Sequence, residues 1–529
     1  MNDPKRDESA PASETIRPEL AELRDRLHVT RDEGRPEAVA KRRKTGQRTT
    51  RENIADLVDE GSFVEYGALA LAAQRQSRSI DELIRVSPAD GIVCGIGTVN
   101  GAQFGEERAR SMVLAYDYTV FAGTQGFVGH QKLDRMLALA AQWRLPIVLF
   151  AEGGGGRPND TDVATVAALD TPSFLAFGAL SGLVPRVGIV SGRCFAGNAA
   201  LLGCSDVIIA TENSSIGMGG PAMIEGGGLG KCDPDQVGPI DVQTKNGVID
   251  VRVRDEAEAV AVAKQYLSYF QGTLPEFTAA DQATLRAALP DSRRRAYKIR
   301  PIIETLADAG SVLELRRDFG RSVVTALVRI AGMPVGLIAN DTFYLGGAID
   351  ADAADKAARF LQLCDAFGLP IVSLCDTPGF MVGPKAETTA LVRHVSRLFA
   401  NAGRLAVPFF TVVLRKGYGL GAQAMSGGHF HAPFFTVSWP TGEFGGMNLE
   451  GAVRLGMRKQ LEAIADPAAR EQMAQGMIAI AYERGKALNI ASLLELDAVI
   501  DPAETRGWLV RGLRSVPKRT PERRFIDTW

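Results

Sequence analysis

Leu145-Pro146-Ile147-Val148 and Leu369-Pro370-Ile371-Val372 are the same four residues set 224 positions apart, and this pair decides how the 529-residue chain is read. In each copy a proline opens a short apolar run, as at the start of a buried strand. Upstream, Gly123 and Gly347 keep the spacing of 224. Further upstream, Ile54, Leu57, Gly61, Ser62 and Glu65 recur 249 positions later as Ile303, Leu306, Gly310, Ser311 and Glu314. The change of spacing requires insertions or deletions, and a charged insertion stands out at 105–110 of the first copy. A repeat of this length makes the chain a duplication of one unit.

Between these landmarks both halves read alike. Each has an apolar β-rich stretch (111–115; 335–339), a Gly-rich turn, an amphipathic helix (132–143; 356–367), and the Leu-Pro-Ile-Val strand. Then come a helix, a strand introduced by proline (185–190; 408–414), a Gly-containing turn, a helix and another strand (206–210; 434–439). Short apolar runs alternating with helical periods predict βαβ crossovers, so the fold class is α/β. Two homologous domains are expected at 25–275 and 280–515, after a mobile tail at 1–24 rich in Asp, Glu, Pro and Ser.

Composition excludes several classes. Lys+Arg 60 against Asp+Glu 62 leaves a net charge of −2, so no global field draws nucleic acid or an anionic membrane. No run approaches the roughly 18 apolar residues that span a bilayer, and the acidic N-terminus lacks the apolar core of a signal peptide. A cytoplasmic protein is expected. The six cysteines contain no C-x-x-C pair, which argues against structural zinc and a disulfide framework. His429-x-His431 has no clear third ligand, and no metal is expected. The stretch 35–51 carries seven cations (Arg35, Lys41, Arg42, Arg43, Lys44, Arg48, Arg51) and one acid, Glu37. It reads either as a solvated helix face or as a seat for a polyanion.

Two turns can carry chemistry. Gly192-Arg-Cys-Phe-Ala196-Gly197-Asn-Ala-Ala200 lies between a predicted strand and a predicted helix, where free amides at the helix start suit an oxyanion. Adding 224 to Ala196 and Gly197 gives Leu420 and Gly421, in a turn of the same kind. A single such turn reflects tight packing more often than catalysis, and the repeated placement brings the two readings level. Gly419-x-Gly421-x-x-Ala424 fits a loose dinucleotide fingerprint that the first copy lacks. Residues 225–232 resemble a phosphate loop without its first Gly or its Ser/Thr. No side-chain acid–base set stands out, as expected of a reaction run by backbone oxyanion stabilisation.

Over about 500 residues the chain resembles the carboxyltransferase (beta) subunits of biotin-dependent acyl-CoA carboxylases, including the propionyl-CoA and methylcrotonoyl-CoA enzymes. The resemblance rests on 48–65, Asp117-Tyr-Thr-Val-Phe-Ala-Gly123, Asp365-Ala-Phe-Gly-Leu-Pro-Ile-Val372, Asp376-Thr-Pro-Gly-Phe380, Arg415-Lys-Gly-Tyr-Gly419 and Trp439-Pro-Thr441. It implies two crotonase-like domains, acyl-CoA on the first and carboxybiotin on the second. It further implies carboxyl transfer from biotin on a separate carrier protein to the α-carbon, or a vinylogous carbon, of an acyl-CoA. Two oxyanion holes follow: Ala196 and Gly197 in the first domain, Leu420 and Gly421 in the second. Gly154, Gly155, Ala422 and Gln423 are implied to line the substrate; Arg42, Arg43 and Lys44 are expected toward the CoA phosphates on the charge of their own stretch, seven cations in a chain of net charge −2. Implied partners are a biotin carboxylase and biotin carboxyl carrier, with assembly as a homo-hexamer, a trimer of dimers. The chain departs from the family where Ala196-Gly197 replaces Gly-Gly and where Gln423 replaces an Asp common in propionyl-type enzymes. A biotin-dependent decarboxylase and a non-catalytic structural subunit are the alternatives.

Overall fold

The computed structural model describes residues 16–163, 169–517 and 524–529. The duplication is visible in its sheets. The first half contains β1 (Val64–Tyr66), β2 (Ile92–Thr98), β3 (Arg110–Tyr116), β4 (Ile147–Phe150), β5 (Arg186–Val190), β6 (Arg193–Phe195), β7 (Val207–Thr211), β8 (Ser215–Gly217) and β9 (Val251–Val253). Seven of these form a sheet in the order β1-β2-β3-β4-β5-β7-β9, and β6 pairs with β8. The second half contains β10 (Leu313–Leu315), β11 (Val323–Ile330), β12 (Met333–Asn340), β13 (Ile371–Thr377), β14 (Phe409–Tyr418), β15 (Phe435–Ser438), β16 (Glu443–Gly445) and β17 (Ala498–Val499). Its order is β10-β11-β12-β13-β14-β15-β17, with β16 on β14. In both sheets the first three strands are antiparallel and the rest parallel.

Strand register repeats with the sequence spacing. Met112 faces Ile147 and Gly336 faces Ile371, both pairs related by 224. Beyond β13 the spacing slips by one: Ile147 faces Arg186 whereas Ile371 faces Phe409, a difference of 223. The long strand β14 does the work of both β5 and β6, pairing with β13 and β15 along its first part and with β16 at its end. The insertion inferred at 105–110 is found between β2 and β3, where two short helices (Gly101–Phe104, Glu106–Ala109) fill a connection that the second half makes with Ala331-Gly332 alone.

The span 1–24 expected as a mobile tail overlaps a helix. Pro18–His28 is a helix that buries none of its residues, started by Pro18 in its first turn. Residues 1–15 lie outside the described set. The halves pack on each other through one continuous core that includes Tyr266, Tyr269, Phe360 and Leu361. Helix Glu256–Gln271 touches strands of both sheets, and helix Ala351–Ala366 is buried almost throughout. Arg359 reaches from the second half to donate to the carbonyl of Asp206 at 2.8 Å, and Arg316 pairs with Asp250 at 3.1 Å.

Each half also turns a lysine inward at the matched positions 132 and 356, the first half-buried and the second buried. The Lys132 ammonium donates to the carbonyls of Ala89 and Ile92 at 2.8 and 2.5 Å, and that of Lys356 to the Phe319 carbonyl at 2.9 Å. With one acceptor, burial pushes Lys356 down from 10.5 to about 7, with Arg300 and Arg316 adding to the fall and Glu314 and Asp318 opposing it. Between these values the unfolded chain holds more protons than the folded one, so this lysine makes stability rise with pH through that window. The unfolding free energy of the parent, measured relative to a Lys356→Met variant from about pH 7 to about pH 10, should climb by at most about 1.4 kcal/mol per pH unit. Parallel profiles would mean that the buried amine does not titrate there.

Candidate active site

Both candidate turns sit at the carboxyl ends of the parallel strands, where the usual ligand crevice of an α/β sheet lies. A loop and a helix start build each one. In the first half, Gln125 brackets Gly156: its N–H donates to Gly155 O at 2.7 Å, and its carbonyl accepts from Arg157 N at 2.8 Å. In the second half Ile349 brackets Phe380 in the same way, through Gly379 O and Met381 N. All four matched positions differ by 224. The loops are seated by a second repeated contact. Gly123 and Gly347 have φ of +65° and +87°, and a Cβ on either would stand 2.4 Å from the carbonyl oxygen of Glu152 or of Asp376. Only glycine permits that approach.

Glu152 and Asp376 are matched acids at the ends of their strands, and both side chains are buried. Arg42 holds Glu152 with both terminal nitrogens, at 2.9 and 2.5 Å, while its Nε donates to Arg48 O. Burial holds the Glu152 carboxyl above its ordinary range, and the Arg42 guanidinium offsets only part of that rise. Asp376 accepts from Arg415 Nε at 3.1 Å, Tyr297 Oη at 2.8 Å and the backbone N–H of Lys416 at 3.0 Å.

At the helix starts the 223 spacing applies. Ala196 (φ +50°) corresponds to Gly419 (φ +57°), Gly197 to Leu420, and Asn198 to Gly421. This corrects the pairing expected from a constant 224. Ala196 does not offer a free amide, because its N–H donates to Gly217 O at 3.1 Å where β6 runs alongside β8. Its φ/ψ of +50° and −121° suits glycine better than an L residue, a local strain of roughly 1–3 kcal/mol. The N–H groups of Gly197 and Asn198 have no acceptor among the described residues, nor do those of Leu420 and Gly421. Gly421 is pressed onto the loop: a Cβ there would lie 2.6 Å from the Cα of Gly379.

The remaining expected residues divide. Gly154 is exposed beside Thr124, whereas the Gly155 N–H is taken by Asn198 Oδ1 at 2.9 Å. Gln423 is exposed and borders a cavity of about 400 Å³ with Gly419, His429, Phe430, Phe444 and Ile490. Ala422 turns the other way, 1% exposed in the core, so it cannot touch a substrate. The basic stretch is largely structural: Arg35, Arg42, Arg43, Arg48 and Arg51 pair with Asp117, Glu152, Glu52, Asp56 and Glu65. Arg42 is therefore not a phosphate ligand. Arg43 and Lys44 are exposed, and Lys44 has no partner among the described residues. Sequence reasoning missed Asn198, Gln125, Gly156 and Phe380. The last two also carry N–H groups without an acceptor among the described residues.

The carboxyl transferase domain family matches residues 41–525. The chain belongs to that family. It is 33% identical over 517 residues to the biotin-dependent long chain acyl-coenzyme A carboxylase beta4 subunit of Mycobacterium tuberculosis, covering 94% of each protein. It is 30% identical to the propionyl-CoA carboxylase beta chain of Saccharopolyspora erythraea, covering 96% of this chain and 94% of that one. Among solved structures, a single-chain, multi-domain long-chain acyl-CoA carboxylase superposes with a TM-score of 0.89 at 59% identity, over 94% of this chain and 49% of that one. This carboxyltransferase thus spans about half the length of that neighbour. The transcarboxylase 12S hexamer, with methylmalonyl-coenzyme A and methylmalonic acid bound, superposes with a TM-score of 0.83 at 28% identity, over 98% of this chain and all of that one. The two sheets of this carboxyltransferase are a duplicated crotonase-like fold.

Replacing Arg42 with Ala strands a buried carboxylate, and breaking such a pair costs about 3–5 kcal/mol. Denaturant unfolding of Arg42→Ala should show a loss of that order. Unchanged stability together with a raised KM for acyl-CoA would return Arg42 to the phosphate site.

Proposed function

We propose that this carboxyltransferase moves a carboxyl group from carboxybiotin, borne by a separate carrier protein, to the α-carbon of a long-chain acyl-CoA. The observation that carries the reading is the pair of open amide sets, Gly197 with Asn198 and Leu420 with Gly421, in matched places of two related sheets. The reaction develops negative charge on two oxygens, the thioester enolate and the biotin ureido oxygen, and a duplicated fold supplies one set of donors for each. Rigid donors need no reorganisation as the charge appears. The Leu420–Gly421 set, pressed against Gly379, fits a small planar carbonyl, which supports the ureido group there. When bound, biotin supplies the carboxyl group and a ring nitrogen able to take the α-proton, so the chain needs no side-chain base. Its own residues bind, orient and stabilise charge. Arg43 and Lys44 are assigned to the CoA phosphates, in place of the buried Arg42.

Assembly follows from exposed apolar side chains near both turns. Leu175 and Met218 lie exposed on the first side, and Val382, Val392 and Leu420 on the second. Such groups call for cover, and a first half of one subunit facing a second half of another supplies it, in a hexamer like the 12S neighbour. A biotin carboxylase and a biotin carrier complete the enzyme.

A long-chain substrate is supported by the similarity to two long-chain carboxylases and by Gln423, a neutral amide at the cavity where propionyl-type enzymes often place a carboxylate. Bicarbonate fixation with the biotinylated partner, over acetyl-, propionyl-, butyryl- and longer acyl-CoA, should give kcat/KM rising with chain length. Gln423→Asp should shift the profile toward short chains by about 1–3 kcal/mol of discrimination. Identical profiles would place the specificity elsewhere, and no fixation with any acyl-CoA would refute the reading.

A further inference from the structure

The insertion that distinguishes the first half builds something the reaction does not use. Arg108, from the segment between β2 and β3, and Arg110, the first residue of β3, line a cavity of about 630 Å³ with Arg144. Pro146 and Pro185, which lead into β4 and β5, also line it. The cavity therefore opens at the amino ends of the strands, across the sheet from the open amides. Phe367 closes one wall from the second half, so the site lies in the seam between the halves.

Two properties set the cavity apart. The three guanidinium groups have neither an ion pair nor a side-chain hydrogen bond among the described residues, whereas five arginines of the 35–51 stretch are all paired. One carboxylate, Glu107, also lines the wall and leaves the cluster cationic. Beside them stand ring faces. Trp143 is 65% exposed, and Phe270 meets Phe367 edge to face at 5.0 Å. Trp143 and Phe367 are matched by the spacing of 224, so the duplication delivers one ring from each half to the same cavity. Planar guanidinium forks suit phosphate oxygens, exposed rings suit a planar base, and the volume is that of a small-molecule pocket.

We propose that this seam cavity binds a purine nucleoside polyphosphate as a ligand separate from the acyl-CoA. Arg108, Arg110 and Arg144 take the phosphates and Trp143 stacks on the base. Among the described residues the second half carries no such site: Ala331-Gly332 replaces the insertion that bears Arg108, and Pro334 and Gly368 stand where the first half has Arg110 and Arg144.

Calorimetric titration of ATP into the full chain at low ionic strength tests this, with pyrophosphate and adenosine as the phosphate-only and base-only arms. The expected result is saturable binding of one ATP per chain, with both fragments weaker. Binding should fall about tenfold or more in Arg108→Glu/Arg144→Glu and in Trp143→Ala, while both variants keep parent carboxylation rates. No ATP binding by the parent would overturn the proposal. So would ATP binding that the variants leave unchanged and acyl-CoA displaces, which would put the nucleotide in the CoA site. Weaker capture of the biotin-bearing partner by the arginine variant, without any nucleotide binding, would also overturn it and make the face a protein interface.

Discussion

The approach of a glycine to a carbonyl at the carboxyl end of a buried strand is the contact on which the rest of this carboxyltransferase depends. Gly123 meets Glu152 and Gly347 meets Asp376 at the same distance. The glycine end leads to Gln125 or Ile349, which seats the loop. The carbonyl end belongs to a buried acid, and an acid without a partner in that place would be costly. Each half must therefore bring a cation to the strand end. Once both are in place, the loop after the strand has one position, and the helix start packed on it presents its amides in a fixed direction.

The halves solve the cation problem differently. The second takes Arg415 from β14, next to the strand it serves, and adds Tyr297. The first has β5 and β6 in place of one long strand, and its cation comes from helix Pro36–Arg43. That helix binds the amino-terminal segment to the first site, which explains why the basic stretch is consumed by ion pairs. The same split strand gives Ala196 its bond to Gly217, while the one-residue slip arises earlier, between β13 and β14. Divergence after duplication has thus changed the supports while keeping the donors.

Much of this was legible in the sequence. The 224 spacing holds in space over Met112 to Arg157 of the first half and Gly336 to Met381 of the second, because strands and the loops between them tolerate no slip where register places every side chain. The two sheets, the Leu-Pro-Ile-Val strands and the insertion before β3 followed from it. The one-residue slip after β13 was legible only in the strand-opening prolines, Pro185 and Pro408, which are 223 apart; the Gly- and Ala-rich turns align equally well either way, so the turn pairing at 224 missed it. Nor could Arg42 be told from Arg43: adjacent residues of one helix point to different sides, and only the fold shows which side meets Glu152. Ala422 and Gln423 divide for the same reason. Asn198 carried a usable signal, as a polar residue inside an otherwise small, apolar helix start.

The central claim is that Leu420 and Gly421 stabilise charge in the transition state through amides fixed against Gly379. The most direct measurement is the turnover of Gly421→Ala under saturating acyl-CoA and biotinylated partner, with thermal unfolding recorded on the same sample. The added Cβ forces the helix start away from the loop, and kcat should fall about a hundredfold to a thousandfold in a variant that still folds. A folded Gly421→Ala protein with near-parent kcat would contradict the account.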